Sequence, residues 1–133
     1  MSVFRVRDGY VIGNGNKMKS VEELDVFKLS HEMTLQIYKL TKNFPAEERF
    51  SLVSQMRRAA YSVPMNLVEG ANRLNTREYR QFVGIAKGSA GEIKYQLILA
   101  RDLGYIKEKT YSELRLNYER ISQMLTGLAK SLK

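Results

Sequence analysis

Apolar residues recur in alternating steps of three and four along the last part of the chain. The positions are Tyr111, Leu114, Tyr118, Ile121, Leu125, Leu128 and Leu132. On an α-helix these steps place all seven side chains on one stripe, the seam that helices present to one another in a bundle. The pattern predicts a helix that starts near Thr110 and packs within a helix bundle.

Two helical segments are predicted in the first half of the chain. One runs from about Val21 to Asn43. The next opens at Phe44-Pro45-Ala46-Glu47-Glu48, where a proline and two carboxylates suit a first helical turn. It ends near Pro64, or continues past this proline with a kink and stops near Gly70.

A third segment begins with Asn75 or Thr76 as its cap, and Leu103-Gly104 closes it. Because the connections between the later helices are short, neighbouring helices are expected to be antiparallel. The sequence therefore predicts an all-α fold, an antiparallel up-and-down four-helix bundle, with the second helix kinked near Pro64.

The first predicted helix is apolar on two sides. One stripe contains Val26, Leu29, Met33, Ile37, Leu40 and Phe44, and a second stripe contains Phe27, His31, Leu35 and Tyr38. A helix of this kind is usually buried on both sides. In a protein this small, the second stripe indicates a subunit interface, so we expect a homo-oligomer.

The N-terminal part differs from the remainder. Residues 3–7 and 10–12 flank Asp8-Gly9, which is a hairpin signal, and Gly13-Asn14-Gly15-Asn16 is typical of a flexible loop. We expect residues 1–20 to be an N-terminal extension, either flexible or a remnant of cloning, and residues 21–133 to be the bundle.

Composition excludes several classes of site. The chain has no cysteine and a single histidine, His31, so disulfides, thiolate catalysis, cysteine-based zinc sites and histidine triads are not expected. No apolar run approaches the roughly 20 residues that a membrane span needs, and charged residues interrupt the N-terminus where a signal peptide would be apolar. These features predict a cytoplasmic protein without a membrane partner.

Basic residues are concentrated on the third helix. Arg80, Lys87, Lys94 and Arg101 follow one another at intervals of seven, so they lie along one flank. Such a row suits a phosphate backbone, and the formal net charge of +8 favours polyanionic partners. The alternative is a solvated edge that serves solubility. The predicted nucleic-acid-binding residues are Arg57, Arg73, Arg77, Arg80, Lys87, Lys94 and Arg101.

Three glycines, Gly84, Gly88 and Gly91, lie near this row inside the predicted helix. Glycine within a helix costs about 1 kcal/mol relative to alanine, so their presence needs a reason. Close approach of a phosphate backbone is one interpretation, and close approach of another helix is the other.

Polar residues accompany the apolar stripe of the second helix. Arg58 is expected to pair with Glu69 or Glu92, because a buried or interfacial arginine needs a carboxylate partner. The sequence predicts a structural polar network around Pro64 that consists of Gln55, Arg58, Asn66, Glu69 and Glu92. An acid–base pair of Glu69 and Glu92 finds no nucleophile, cofactor motif or second histidine to support it. We therefore expect neither an enzyme nor a cofactor.

Four ordered motifs carry a family resemblance. They are Phe44-Pro45-x-x-Glu48, Gln55-x-Arg57-Arg58-Ala59-Ala60-x-Ser62-x-Pro64-x-Asn66-x-x-Glu69-Gly70, Gly88-Ser89-x-x-Glu92 and Leu103-Gly104-Tyr105-Ile106. The chain resembles the 23S rRNA intervening-sequence proteins, also labelled S23, from about Leu24 to Lys133. One mild variation is Leu67-Val68, where isoleucine–alanine is common in the family.

The resemblance implies a four-helix bundle that assembles as a ring, commonly a homopentamer. It also implies an association with RNA, since family members are encoded within insertions in 23S rRNA genes. The family is similar to the accessory variability determinants of diversity-generating retroelements, which are basic, bind nucleic acid and associate with a reverse transcriptase. We therefore expect a basic, non-enzymatic bundle that binds structured RNA, with 23S rRNA as a candidate. The alternative is a scaffold for a protein partner such as a reverse transcriptase.

Overall fold

The computed structural model describes residues 5–7, 10–12 and 18–132, with side chains described from Ser20 to Leu132. The helices are α1 (Asp25–Thr41), α2 (Leu52–Ala71), α3 (Thr76–Asp102) and α4 (Glu108–Ser131), and single 3₁₀ turns at Val21–Glu23 and Ala46–Glu48 precede α1 and α2. Three short strands, β1 (Arg5–Arg7), β2 (Tyr10–Ile12) and β3 (Met18–Ser20), come first in the chain.

Each helix packs against the next, and α1 also contacts α4, so the four helices form a closed square. Their directions alternate: α1 and α2 meet at Thr34 with Ala60 and at Thr41 with Arg57. Lys94 with Glu119 and Arg101 with Glu108 show the same antiparallel relation for α3 and α4. The predicted up-and-down four-helix bundle is confirmed.

The core follows the predicted seams. On α4 the seam from Leu114 to Leu132 is buried, and Tyr111 is partly buried at its start. On α1 the first stripe faces the core, whereas His31, Leu35 and Tyr38 of the second stripe are exposed. Burial of that second stripe would therefore require a contact from outside the described residues.

Pro64 lies inside α2 without ending it. A proline has no N–H group, so the carbonyl of Ala60, four residues earlier, loses its helical partner. The Thr34 hydroxyl of α1 lies 3.1 Å from this oxygen and 2.7 Å from the carbonyl oxygen of Ser30, so its single proton is shared between two acceptors. A side chain of the neighbouring helix thus compensates in part for the proline.

This compensation predicts a coupled pair of substitutions. Thr34→Val keeps the shape of the side chain and leaves a buried carbonyl unsatisfied, which should lower the free energy of unfolding by about 1–3 kcal/mol. In a Pro64→Ala background the restored N–H should reduce that loss to under about 1 kcal/mol. Urea unfolding of the four proteins in the double-mutant cycle measures the coupling, and equal losses in both backgrounds would contradict it.

The ends of α3 are fixed locally. The Asn75 side chain accepts a 2.9 Å hydrogen bond from the backbone N–H of Glu78 and caps the N-terminus. At the other end Gly104 has a φ of +80°, and Tyr105 donates its backbone N–H to the carbonyl of Ala100. This is the Schellman ending in which glycine is favoured.

That ending also brings two of the sequence motifs together. The Tyr105 hydroxyl donates to Oε2 of Glu48 at 2.7 Å, and its ring lies 5.2 Å from that of Phe44. Hydrogen bonds from Ser51 and Tyr105 lower the pKa of Glu48, and the bond to Glu48 raises the pKa of Tyr105 to about 12. The α3–α4 turn is thereby attached to the turn before α2.

The three strands form an antiparallel sheet in the order β1-β2-β3. β1 and β2 pair with Arg7 opposite Tyr10, which agrees with the predicted hairpin strands. Asp8-Gly9 and the loop predicted at Gly13–Asn16 lie outside the described residues.

Candidate nucleic-acid interface

The basic row of α3 lies on the flank that faces α4, and the structure divides it into two halves. In the second half, Lys94 Nζ is 2.7 Å from Glu119 Oε1, and this contact lowers the pKa of Glu119. Arg101 Nε lies 3.0 Å from Asp102 Oδ1, and the guanidinium sits 4.3 Å from the centroid of the Tyr111 ring. The hydrogen bond to Asp102 raises the pKa of Arg101. Carboxylates therefore neutralise this half.

The cations in the first half of the row have no carboxylate partner among the described residues. Arg77, Arg80 and Lys87 are exposed and make no ion pair with any described residue. Arg73 is also exposed, with its guanidinium 4.5 Å from the centroid of the Phe82 ring. Arg73 and Arg77 lie beside and within the first turn of α3, where the partial positive charge of the helix dipole adds to theirs.

A further cation extends this region on α4. Lys130 is exposed and lies eleven residues, or three turns, after Glu119 on the same flank of α4. Since α4 runs antiparallel to α3 and Glu119 lies beside Lys94, Lys130 lies toward the Arg80 end of α3. We call Arg73, Arg77, Arg80, Lys87 and Lys130 the cationic end. Lys130 was missed in the sequence because its relation to α3 depends on the helix pairing, not on the spacing along α4.

Arg57 is separated from this surface. Its Nε donates to Thr41 Oγ1 at 2.9 Å, an Nη donates to the Tyr38 carbonyl at 3.3 Å, and the guanidinium lies 4.7 Å from the Tyr38 ring centroid. These contacts tie α2 to α1. Among the seven predicted contacts, Arg57 therefore does not join the row on α3.

The interior glycines of α3 are open. A Cβ atom at Gly84, Gly88 or Gly91 would meet no described atom within 4 Å. Packing of a neighbouring helix within this chain therefore does not explain them. Gly70 of α2 differs, because its Cβ would lie 2.9 Å from Phe82 Cβ and 2.9 Å from Tyr79 Cδ1, where α2 and α3 approach closely.

Among the described residues, the predicted polar network does not form. Gln55, Arg58, Glu69 and Glu92 are all exposed, and among the described residues none of their side chains makes a hydrogen bond or ion pair. Asn66 alone is engaged, since its Nδ2 donates to the carbonyl and hydroxyl oxygens of Ser62 at 2.7 and 2.9 Å. Ser62 in turn lies 2.8 Å from the hydroxyl of Ser89 on α3. The pairing predicted for Arg58 with Glu69 or Glu92 is absent among the described residues, and the Arg58 side chain is exposed on α2.

Other kinds of site were sought in the described part of the chain. It contains no group of three acidic or histidine side chains able to hold a metal ion. None of its helices is both long and apolar enough to cross a membrane. An open groove between α1 and α4 is lined by Gln36, Asn43, Glu113 and Asn117 with apolar neighbours.

Comparisons with known proteins agree with the fold. A protein of unknown function of the S23 ribosomal protein family from Bacteroides thetaiotaomicron superposes with a TM-score of 0.73 at 24% identity, over 79% of this chain and 95% of that one. A search of curated proteins found no match. The model of the 23S rRNA-intervening sequence proteins matches residues 22–127, which include all four helices to near the end of α4. The chain therefore belongs to the 23S rRNA-intervening sequence protein family.

Proposed function

We propose that this protein is a non-enzymatic, homo-oligomeric helical bundle that binds structured RNA through its cationic end. The observation that carries the proposal is the set of exposed cations at the start of α3, which have no carboxylate partner among the described residues. The family name, which refers to 23S rRNA, favours RNA over other polyanions.

The division of the basic row into paired and unpaired cations reduces the number of residues that are expected to contact phosphate. A cation beside a carboxylate attracts a phosphate less strongly, because the neighbouring negative charge offsets its own. Phosphate contacts are therefore assigned to Arg73, Arg77, Arg80, Lys87 and Lys130, and not to Lys94, Arg101 or Arg57. Recognition of this kind reads charge and the shape of the sugar–phosphate backbone more than base sequence.

The proposal predicts a strong dependence on salt. Each neutralised phosphate of a duplex lowers the slope of log affinity against log salt concentration by about 0.9, so four or five contacts give a slope near −4. Fluorescence anisotropy of a labelled stem-loop RNA, with nuclease-treated protein at several salt concentrations, measures this slope.

Two charge-reversal variants with the same net charge test whether RNA binds at the start of α3. Arg77→Glu, Arg80→Glu and Lys87→Glu together should abolish binding at moderate salt and leave the circular dichroism spectrum unchanged. The control carries Lys28→Glu, Lys39→Glu and Lys109→Glu, which change the net charge equally at exposed positions on α1 and α4. Retained affinity in the first variant, or equal losses in both, would contradict a site at the start of α3.

A second candidate function is a scaffold for a protein partner, such as a reverse transcriptase. Large exposed apolar side chains on α1 and α2, among them Leu35, Tyr61 and Met65, favour it. It predicts that a protein partner co-purifies after nuclease treatment, and that the triple reversal on α3 leaves this association intact.

A further inference from the structure

The connection between α2 and α3 consists of residues 72–75 and carries one large apolar side chain, Leu74. Leu74 is 99% exposed, the highest value among the large apolar residues of the described part of the chain. A single exposed leucine on an ordinary surface needs no explanation. Leu74 differs because it lies within the cationic end, directly after Arg73 and three residues before Arg77.

Hydrogen bonds fix the turn that holds Leu74. The Asn72 side chain donates to the carbonyl of Val68 at 2.8 Å. The backbone N–H of Arg73 donates to the carbonyl of Gly70 at 3.1 Å. The residue that follows Leu74 caps α3, so the turn is attached to a helix on each side. The backbone at Leu74 is therefore ordered before a partner binds, and little conformational entropy is lost on contact.

The neighbouring Arg73 adds a planar group to the turn. Its guanidinium lies 4.5 Å from the centroid of the Phe82 ring, which orients the plane, and the side chain remains exposed. Unstacked RNA bases commonly rest on guanidinium planes and on apolar or aromatic side chains. The turn thus offers contacts to bases beside a surface that suits phosphates.

The turn lies at one end of the free cations of α3. Arg77, Arg80 and Lys87 extend away from it over about 15 Å along the helix. A strand of RNA whose phosphates follow these cations reaches Leu74 at the end of the row. In a continuous RNA helix the bases at that point are stacked on one another. At a bulge or loop the stack is already interrupted, and an apolar side chain can enter it.

We propose that Leu74 is a wedge that inserts at an unstacked position of RNA, so that the protein prefers an RNA helix interrupted by a bulge to a continuous one. The inference rests on the RNA binding in the proposed function and names the kind of RNA. Phosphate contacts of the cationic end supply affinity that is common to both RNAs. Burial of one leucine side chain adds about tenfold or more for the interrupted RNA.

A membrane surface is the other partner that combines negative charge with an apolar interior. Leu74 provides little apolar area for such a surface, since even one whole acyl chain gives only marginal membrane binding. A wedge between bases needs a single apolar side chain of this size. The presence of one large apolar side chain in the turn therefore favours RNA.

Two end-labelled stem-loop RNAs that differ by one bulged nucleotide test the proposal. Fluorescence anisotropy should show that the wild type binds the bulged RNA about tenfold more tightly than the continuous one. Leu74→Ala should lose this preference and keep the wild-type affinity for the continuous RNA. With 2-aminopurine placed beside the bulge, whose emission is quenched by stacking, the wild type should raise the emission and Leu74→Ala should not.

Leu116→Ala is the matched control, because Leu116 is 64% exposed in the first half of α4, beside the far end of α3. It should leave both affinities unchanged. Leu74→Phe should retain the preference for the bulged RNA, since another large apolar side chain can enter the stack. The substituted side chains are exposed, so all three variants should keep the helical circular dichroism spectrum.

The outcomes separate the wedge from the RNA function. Equal affinity of the wild type for the two RNAs, a preference that survives in Leu74→Ala, or equal losses for both RNAs in that variant would overturn the wedge alone. Binding of neither RNA would overturn the RNA function and the wedge together. Sedimentation with phosphatidylserine vesicles that Leu74→Ala abolishes would assign the side chain to a membrane surface and would also overturn the wedge.

Discussion

Between about pH 10 and pH 12 the bundle is expected to lose several kcal/mol of stability through two core tyrosines. The hydroxyls of Tyr79 and Tyr118 are buried without a hydrogen-bond partner among the described residues. Burial raises the pKa of Tyr79 to about 12 and raises that of Tyr118 further. Because each pKa in the folded state exceeds the unfolded value near 10, the unfolded chain releases these protons first, and stability falls by about 1.4 kcal/mol per pH unit for each tyrosine. Below about pH 9 neither group contributes.

Phenylalanine variants separate the stability loss due to tyrosine ionisation from the loss due to lysines, which titrate in the same pH range. Tyr79→Phe and Tyr118→Phe remove an unsatisfied hydroxyl, so they should be neutral or stabilising by about 1 kcal/mol at pH 7. Near pH 12 each should be more stable than the wild type by about 2 kcal/mol or more. Urea unfolding followed by circular dichroism at a series of pH values measures the difference, and parallel pH profiles for the three proteins would contradict it.

Two glycine-to-alanine substitutions are expected to act in opposite directions. In Gly70→Ala the new methyl group would lie 2.9 Å from Phe82 Cβ, where neither helix can yield without repacking. Overpacking of this kind should cost about 1–3 kcal/mol in the free energy of unfolding.

Gly84→Ala is the matched control, since its methyl group meets open space. It should stabilise the monomer by about 1 kcal/mol through helix propensity. Thermal or urea unfolding gives both values. A destabilised Gly84→Ala would contradict the open space above this position.

Much of this bundle could be read from residue spacing because the signals are local. The seam from Tyr111 to Leu132 and the cap at Asn75 depend on neighbours within one or two turns. The role of Gly104 is also local, because its positive φ allows the hydrogen bonds that end α3. Such features need no knowledge of which helix lies beside which.

The candidate site was less predictable because it depends on pairing between helices. Arg80, Lys87, Lys94 and Arg101 have the same spacing along α3. Only Lys94 and Arg101 meet carboxylates, Glu119 of α4 and Asp102 of α3 respectively. Arg58 shares a motif with residues of the core and yet points outward. Thr34 gave no sequence signal at all, because its role appears only when its helix lies beside the carbonyl freed by Pro64.

The unequal halves of the α3 row give the bundle an electric polarity. Free cations collect at the start of the helix, while carboxylates cancel those near its end. In the field of a polyanion such a particle experiences a torque as well as an attraction, so it turns its charged end forward before contact. That alignment acts over roughly one Debye length, about 8 Å at physiological ionic strength.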